Sequence, residues 1–156
     1  GGRLVLRLAR FPRPVLMAVR GHALALGGIL LLTADRRIGC RGKGKYALNE
    51  VAIGMTVPVF AVELARHTLS RPHLEAVVLH STVHSVDEAV GARLLDRAVD
   101  AVDFEATCKA EAAELAKLGN PGYANTKMNL RRTTIEAIET TLLADAARLT
   151  PAQAKM

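Results

Sequence analysis

Glu50 is a lone carboxylate among apolar and small residues, with Tyr46-Ala47-Leu48-Asn49 before it and Val51-Ala52-Ile53-Gly54-Met55 after it. A carboxylate in such a stretch needs a reason to be there. Desolvation would raise its pKa toward neutrality, which suits removal of a proton next to a carbonyl. On residue types alone, a solvated loop glutamate is the plain alternative. The second candidate is the turn Gly21-His22-Ala23-Leu24-Ala25-Leu26-Gly27-Gly28, between the apolar Pro14-Val15-Leu16-Met17-Ala18-Val19 and the run Leu24 to Leu32. This reads as a strand, a tight turn and a buried helix. Small residues at such a junction leave backbone N–H groups free at the positive end of a helix dipole, a seat for an anion or a developing oxyanion. Close packing of a helix on a sheet accounts for the same residues equally well.

The remaining reactive side chains form no further constellation. His67, His73, His80 and His84 lack metal-ligand spacing with Cys or carboxylates, so they read as surface or helix-packing residues and no metal is expected. His22 lies in the turn itself and is placed to line a pocket there. His84-Ser85-Asp87 is local helix-start chemistry. Cys40 and Cys108 stand far apart with no C-x-x-C pair, which fits free thiols in a reducing compartment.

Elements able to position these groups follow in order. A chain of 156 residues, half of it apolar, is long enough for one domain with a real core. Aromatics are scarce and Ala, Leu and Val abundant, so an α/β class is expected. The first ten residues read as a helix ending before Pro12, with Leu4, Leu8 and Phe11 on one face and Arg3, Arg7 and Arg10 on another. Arg36 to Cys40 reads as a short strand, followed by the turn-forming Arg41-Gly42-Lys43-Gly44-Lys45. After Pro58, an amphipathic helix with Phe60, Ala61, Leu64 and Ala65 runs to about Leu69, and Ser70 with Pro72 opens another carrying Leu74, Val77, Val78 and His80. Ser85-Val86-Asp87-Glu88 fits a capping box. Phe104 to Leu118 is a long helix closed by Gly119-Asn120-Pro121-Gly122; Tyr123 to Leu130 and Thr133 to Leu149 read as two more, and Thr150-Pro151 starts a last short piece.

The order G-H-A-x-x-x-G-G at 21–28, then Thr33-Ala34-Asp35, then Y-A-L-N-E-V-x-I-G-M at 46–55 and Pro58 resembles the crotonase (enoyl-CoA hydratase/isomerase) superfamily. The resemblance covers the C-terminal two-thirds of a subunit. It implies a crotonase-like ββα spiral core lacking its N-terminal part (residues 1–100), followed by C-terminal helices that pack in a trimer (residues 101–156). It makes Glu50 the catalytic acid/base and gives the backbone N–H of Leu26 to an oxyanion hole. Substrate contacts fall on Ala23, Ala25, Gly27, Pro58 and Phe60.

Hydratases of the superfamily use two glutamates. The first stands six residues before the helix-ending Asp, and counting back from Asp35 lands on Ile29. Water activation by a glutamate pair is therefore not on offer. A single carboxylate suffices to move a double bond from the 3,4 to the 2,3 position of an acyl thioester. The Leu48-Asn49-Glu50 form of the motif resembles the mitochondrial-type Δ3,Δ2-enoyl-CoA isomerases most. Hydration, thioester cleavage and a non-catalytic or RNA-binding role are the alternatives within the superfamily. The second oxyanion donor of the family comes from an A-G-x-D-type loop that also grips CoA, and no stretch here matches it; a part of a longer subunit is expected.

The substrate implied is an acyl-CoA, with no other cofactor, and the assembly a homotrimer or dimer of trimers. The formal charge of +6 and pI near 9.8 favour an anionic partner. The basic residues are scattered and aromatics few, which argues against nucleic acid. Lys127, Arg131 and Arg132 read as a solvated basic face, with contact to CoA phosphates as the other reading. The longest apolar run falls short of the roughly twenty residues of a membrane span, and no leader sequence is evident, so a cytoplasmic protein is expected.

Overall fold

The computed structural model describes residues 1–148, with side chains as far as Leu142. In chain order the elements are α1 (Gly2–Ala9), β1 (Leu16–Val19), β2 (Ala23–Leu24), α2 (Leu26–Leu31), β3 (Arg36–Cys40), β4 (Tyr46–Ala47), a 3-10 turn (Val51–Ile53), α3 (Val59–Thr68), a second 3-10 turn (Arg71–His73), α4 (Leu74–Val78), α5 (Val86–Gly91), β5 (Arg97–Val99), α6 (Phe104–Ala116) and α7 (Pro121–Arg148). The class is α/β, as the composition predicts. The last short piece expected from Thr150-Pro151 lies outside the described residues.

The strands are all parallel and fall into two sheets. One has the order β1-β3-β5, with Leu16 opposite Arg36 and Ile38 opposite Arg97. The other pairs β2 with β4, Ala23 opposite Tyr46 and Leu24 opposite Ala47. In the three-stranded sheet the central β3 is the most deeply covered strand, whereas β1 at the edge is only half-buried along most of its length. The apolar run after the turn makes a helix of only 6 residues, shorter than its apolar length suggests. Its continuation is packed too: Leu32, Thr33 and Ala34 stay buried as irregular chain leading into β3. Leu31, Leu32, Leu48, Phe60, Leu64, Val86 and Ile138 belong to the main apolar core.

Helix prediction succeeds where local chemistry sets the boundary. Helix α3 begins after Pro58 and buries Phe60, Ala61, Leu64 and Ala65. The capping box of α5 is complete: the Ser85 N–H donates to Glu88 at 2.8 Å, and the Glu88 N–H donates to the Ser85 hydroxyl at 3.4 Å. Two expectations fail. Helix α1 turns Val5 and Ala9 inward, while Leu4 is 48% and Phe11 41% exposed. It packs on α7, so its small Gly2, Val5 and Ala9 give the close approach that a Leu stripe would not.

The two helices expected after Tyr123 are one, α7, of 28 residues. Nothing between Leu130 and Thr133 breaks a helix, and Arg131, at the supposed junction, is tied into the interior. Its guanidinium donates to the carbonyls of Ala9, Thr33 and Ala34 at 3.2, 2.9 and 3.2 Å and pairs with Asp35 at 3.0 Å. Lys127 pairs with the same carboxylate at 2.6 Å. Both cations are buried, so they form neither a solvated basic face nor a phosphate contact; only Arg132 of the three is exposed. Asp35 also accepts the Val15 N–H at 2.7 Å. One carboxylate thereby joins the entry to β1 to α7.

Candidate functional site

The β2–β4 ladder sets the strands that lead into the two sequence candidates side by side. Two residues beyond Leu24 lies Leu26, the first residue of α2, and three beyond Ala47 lies Glu50. Gly28 closes the arrangement. A Cβ there would stand 2.6 Å from the Ala47 carbonyl oxygen and 3.0 Å from the Leu48 side chain, so α2 approaches the strand as only glycine allows. Close helix–strand packing, one of the two readings open on sequence alone, is what Gly28 provides.

The turn is strained at Ala25, with φ 48 and ψ −121, a conformation costing roughly 1–3 kcal/mol for a residue with a Cβ. It reverses the chain abruptly into α2, where the Ala25 carbonyl accepts the Ile29 N–H at 2.9 Å. Ala23 is buried, Ala25 and Gly27 half-buried, and the Leu26 side chain 45% exposed. The Ala23 N–H donates to the Lys45 carbonyl at 2.8 Å, and the Lys45 N–H donates to His22 Nδ1 at 3.1 Å. His22 is thus exposed and engaged in holding the turn.

Glu50 is 5% exposed, and its Oε2 is buried without a hydrogen-bond partner among the described residues. Burial pushes its carboxyl above the usual value of 4.5, opposed in part by its own backbone N–H. The backbone around it is tightly wound: the Glu50 carbonyl accepts the Ile53 and Met55 N–H groups at 3.1 and 2.8 Å. Gly54 ends this 3-10 turn at φ 76, in the left-handed region. The turn also carries exposed apolar side chains, Val51, Ile53 and Met55. Tyr46 is fully buried, and burial pushes its phenol up to about 12, so it stays protonated. Pro58 caps α3, half-buried, and Phe60 is buried in its first turn.

A strap formed by residues 79–85 lies across this segment, a feature without any sequence signal. Tyr46 and His84 exchange both backbone hydrogen bonds, at 3.0 and 2.9 Å. The Ala52 N–H donates to the Ser81 hydroxyl at 3.2 Å. Of the other histidines, His73 Nδ1 lies 2.8 Å from the Ser70 hydroxyl and its ring 6.4 Å from that of His84. Among the described residues, no group of three or more His, Cys, Asp or Glu side chains is placed for a metal ion. No helix of the described residues is long and apolar enough to cross a membrane.

In the described residues, two parallel sheets, a strained turn entering a short buried helix and a buried carboxylate three residues beyond the strand paired with that turn's own strand make up an α/β scaffold. The enoyl-CoA hydratase/isomerase family model matches residues 2–155, and the chain belongs to that family. It is similar to enoyl-CoA delta isomerase 1, peroxisomal, of Arabidopsis thaliana, being 30% identical over 130 residues that cover 80% of this chain and 53% of that protein. Enoyl-CoA delta isomerase 2, peroxisomal, of the same plant is 31% identical over 97 residues, 61% of this chain and 40% of that protein. The chain spans about half the length of these curated relatives. Among solved structures, a probable enoyl-CoA hydratase from Mycobacterium tuberculosis H37Rv superposes with a TM-score of 0.89 at 30% identity, covering 98% of this chain and 64% of that one. Human mitochondrial delta3-delta2-enoyl-CoA isomerase shares the fold alone, with a TM-score of 0.88 at 22% identity over 94% of this chain and 57% of that one. The crotonase fold implied by the motifs is the fold of this chain. The cytoplasmic location expected from the sequence finds no support in these names, two of which are peroxisomal and one mitochondrial.

Proposed function

We propose that the protein isomerises a 3-enoyl-CoA to the 2-enoyl-CoA through Glu50. The buried carboxylate, its Oε2 without a hydrogen-bond partner among the described residues, carries this reading: a base with a raised pKa, held out of water, is suited to take a proton from C2 of a thioester. Removal of that proton leaves a dienolate, and return of the same proton to C4 moves the double bond. The backbone N–H of Leu26 donates to the dienolate oxygen in this scheme; loss of one such donor costs about 3–4 kcal/mol of transition-state stabilisation. Ala23, Ala25 and Gly27 line the thioester, and Pro58 and Phe60 the acyl chain. The exposed apolar residues on both segments, Leu24 and Leu26 at the entry to α2 and Val51, Ile53 and Met55 after Glu50, support an apolar substrate. Ile29 at the position of the hydratases' first glutamate supports isomerisation over hydration. Assembly as a homotrimer or dimer of trimers through the C-terminal helices is part of the same proposal, consistent with Leu118 and Leu130 standing 49% and 72% exposed.

The full-length protein incubated with a 3-enoyl-CoA is expected to give an isomer of unchanged mass, followed by ultraviolet absorbance and mass spectrometry. Glu50→Gln is expected to lower kcat by at least about 10²-fold, the lower end of what a positioned acid/base contributes. A product heavier by one water assigns hydration instead, and full activity of the Gln variant removes Glu50 from the chemistry.

A further inference from the structure

We propose that Ser81 is a positioning residue, whose hydroxyl, presented from a left-handed backbone, fixes the turn that carries Glu50. The proposal rests on the reading of Glu50 as the acid/base. Three observations meet at this residue. Ser81 has φ 53, in the region that disfavours side chains, although it is neither glycine nor asparagine. It is 7% exposed, between α4 and α5. Its Oγ accepts the Ala52 N–H at 3.2 Å, within the 3-10 turn that begins immediately after Glu50.

The strained conformation is held from both sides. On one side the Thr82 N–H donates to the Ala76 carbonyl at 2.9 Å, tying the strap back onto α4. On the other the paired backbone bonds of His84 and Tyr46 fix its far end. The segment from Tyr46 to Ala52 is therefore gripped at two points, with Glu50 between them. At the Tyr46 end the grip is backbone to backbone and indifferent to side-chain type. At the Ala52 end it depends on one hydroxyl. Ala52 itself is exposed, so without that acceptor its N–H would turn to water and the turn would loosen beside the carboxylate. Strain kept at a residue holding a reacting group is a recurring device for preorganisation.

Two substitutions separate the hydrogen bond from the strain. Ser81→Ala removes the hydroxyl and keeps a Cβ at positive φ; Ser81→Gly removes both. The Gly variant is expected to melt about 2–4 °C above the Ala variant, because the left-handed conformation strains a residue that carries a Cβ. Both are nevertheless expected to lose about ten-fold in kcat at unchanged KM, within the roughly 10²-fold that an ångström of misplacement costs. Amide exchange at Ala52 is expected to speed up by about three- to ten-fold in both, the worth of one ordinary hydrogen bond. Rates that follow the melting order, with the Gly variant as fast as wild type, overturn the proposal, as does unchanged exchange at Ala52. A wild-type protein that leaves 3-enoyl-CoA unaltered overturns the reading of Glu50 and the catalytic half of this one, while the exchange measurement still decides whether Ser81 holds the turn.

Discussion

A carboxylate kept dry is held there at a cost in stability, and the sign of that cost is testable at Glu50. Burial raises its folded pKa above the ordinary carboxylate value of 4.5. Between the two pKa values the native state binds more protons than the unfolded chain, so stability falls as pH rises through that window. The penalty is absent below the ordinary value, where both states are protonated, and complete above the raised one. Glu50→Gln, neutral at every pH, is therefore expected to raise the thermal midpoint at pH 7 and to leave it close to wild type at pH 4, read by scanning calorimetry. A variant that destabilises equally at both pH values would mean the carboxylate is satisfied in the native state. If Glu50 acts as the base, the same raised pKa sets the acid limb of kcat/KM above the usual carboxylate range.

Between elements, the approach of α2 to β4 decides whether the Leu26 amide and Glu50 share a site. Gly28 is the contact on which that approach depends. Gly28→Ala would push a methyl to 2.6 Å from the Ala47 carbonyl oxygen, a backbone atom that has no rotamer to move into. We expect a loss of about 1–3 kcal/mol in urea denaturation and a fall in kcat, because any relief shifts the turn away from the segment carrying Glu50. Gly27, one residue earlier, meets only the Ala23 Cβ, at 4.0 Å, and Gly27→Ala serves as the stability control, with a much smaller loss in urea denaturation.

For the molecule as a whole, the ion cluster of Asp35, Lys127 and Arg131 ties chain segments more than ninety residues apart. Asp35 has 11% side-chain exposure and the two cations 4% and 10%. Burial holds the Lys127 ammonium below its usual pKa despite the facing carboxylate, and pulls Arg131 in the same direction. Asp35→Asn leaves two buried cations facing a neutral amide. The expected cost is about 3–5 kcal/mol in chemical denaturation, the usual penalty for breaking a buried pair from one side. Since α7 packs against both α1 and α3, loosening it is also expected to lower the overall melting midpoint rather than to fray one end.

Much of this was legible in the sequence because it depends on local chemistry. Apolar periodicity gave α3 its inward face, the Ser85–Glu88 box gave α5 its start, and the run of motifs from Gly21 to Pro58 identified the family and singled out Glu50 as a carboxylate in apolar surroundings. What the sequence alone could not decide depends on which surface meets which. Helix α1 has two faces able to bury, and only its packing on α7 selected Val5 and Ala9. Lys127 and Arg131 read as a solvated face because a charge is expected outside unless a partner is known, and their partner Asp35 lies more than ninety positions away. The grip of Ser81 on Ala52 left no trace in residue order, since a hydroxyl in a loop is commonplace until tertiary contacts bring a backbone N–H to it. Helix periods and caps are set by neighbours a few residues along the chain; burial of charge and the aim of the turn carrying Glu50 are set by neighbours that only the folded chain supplies.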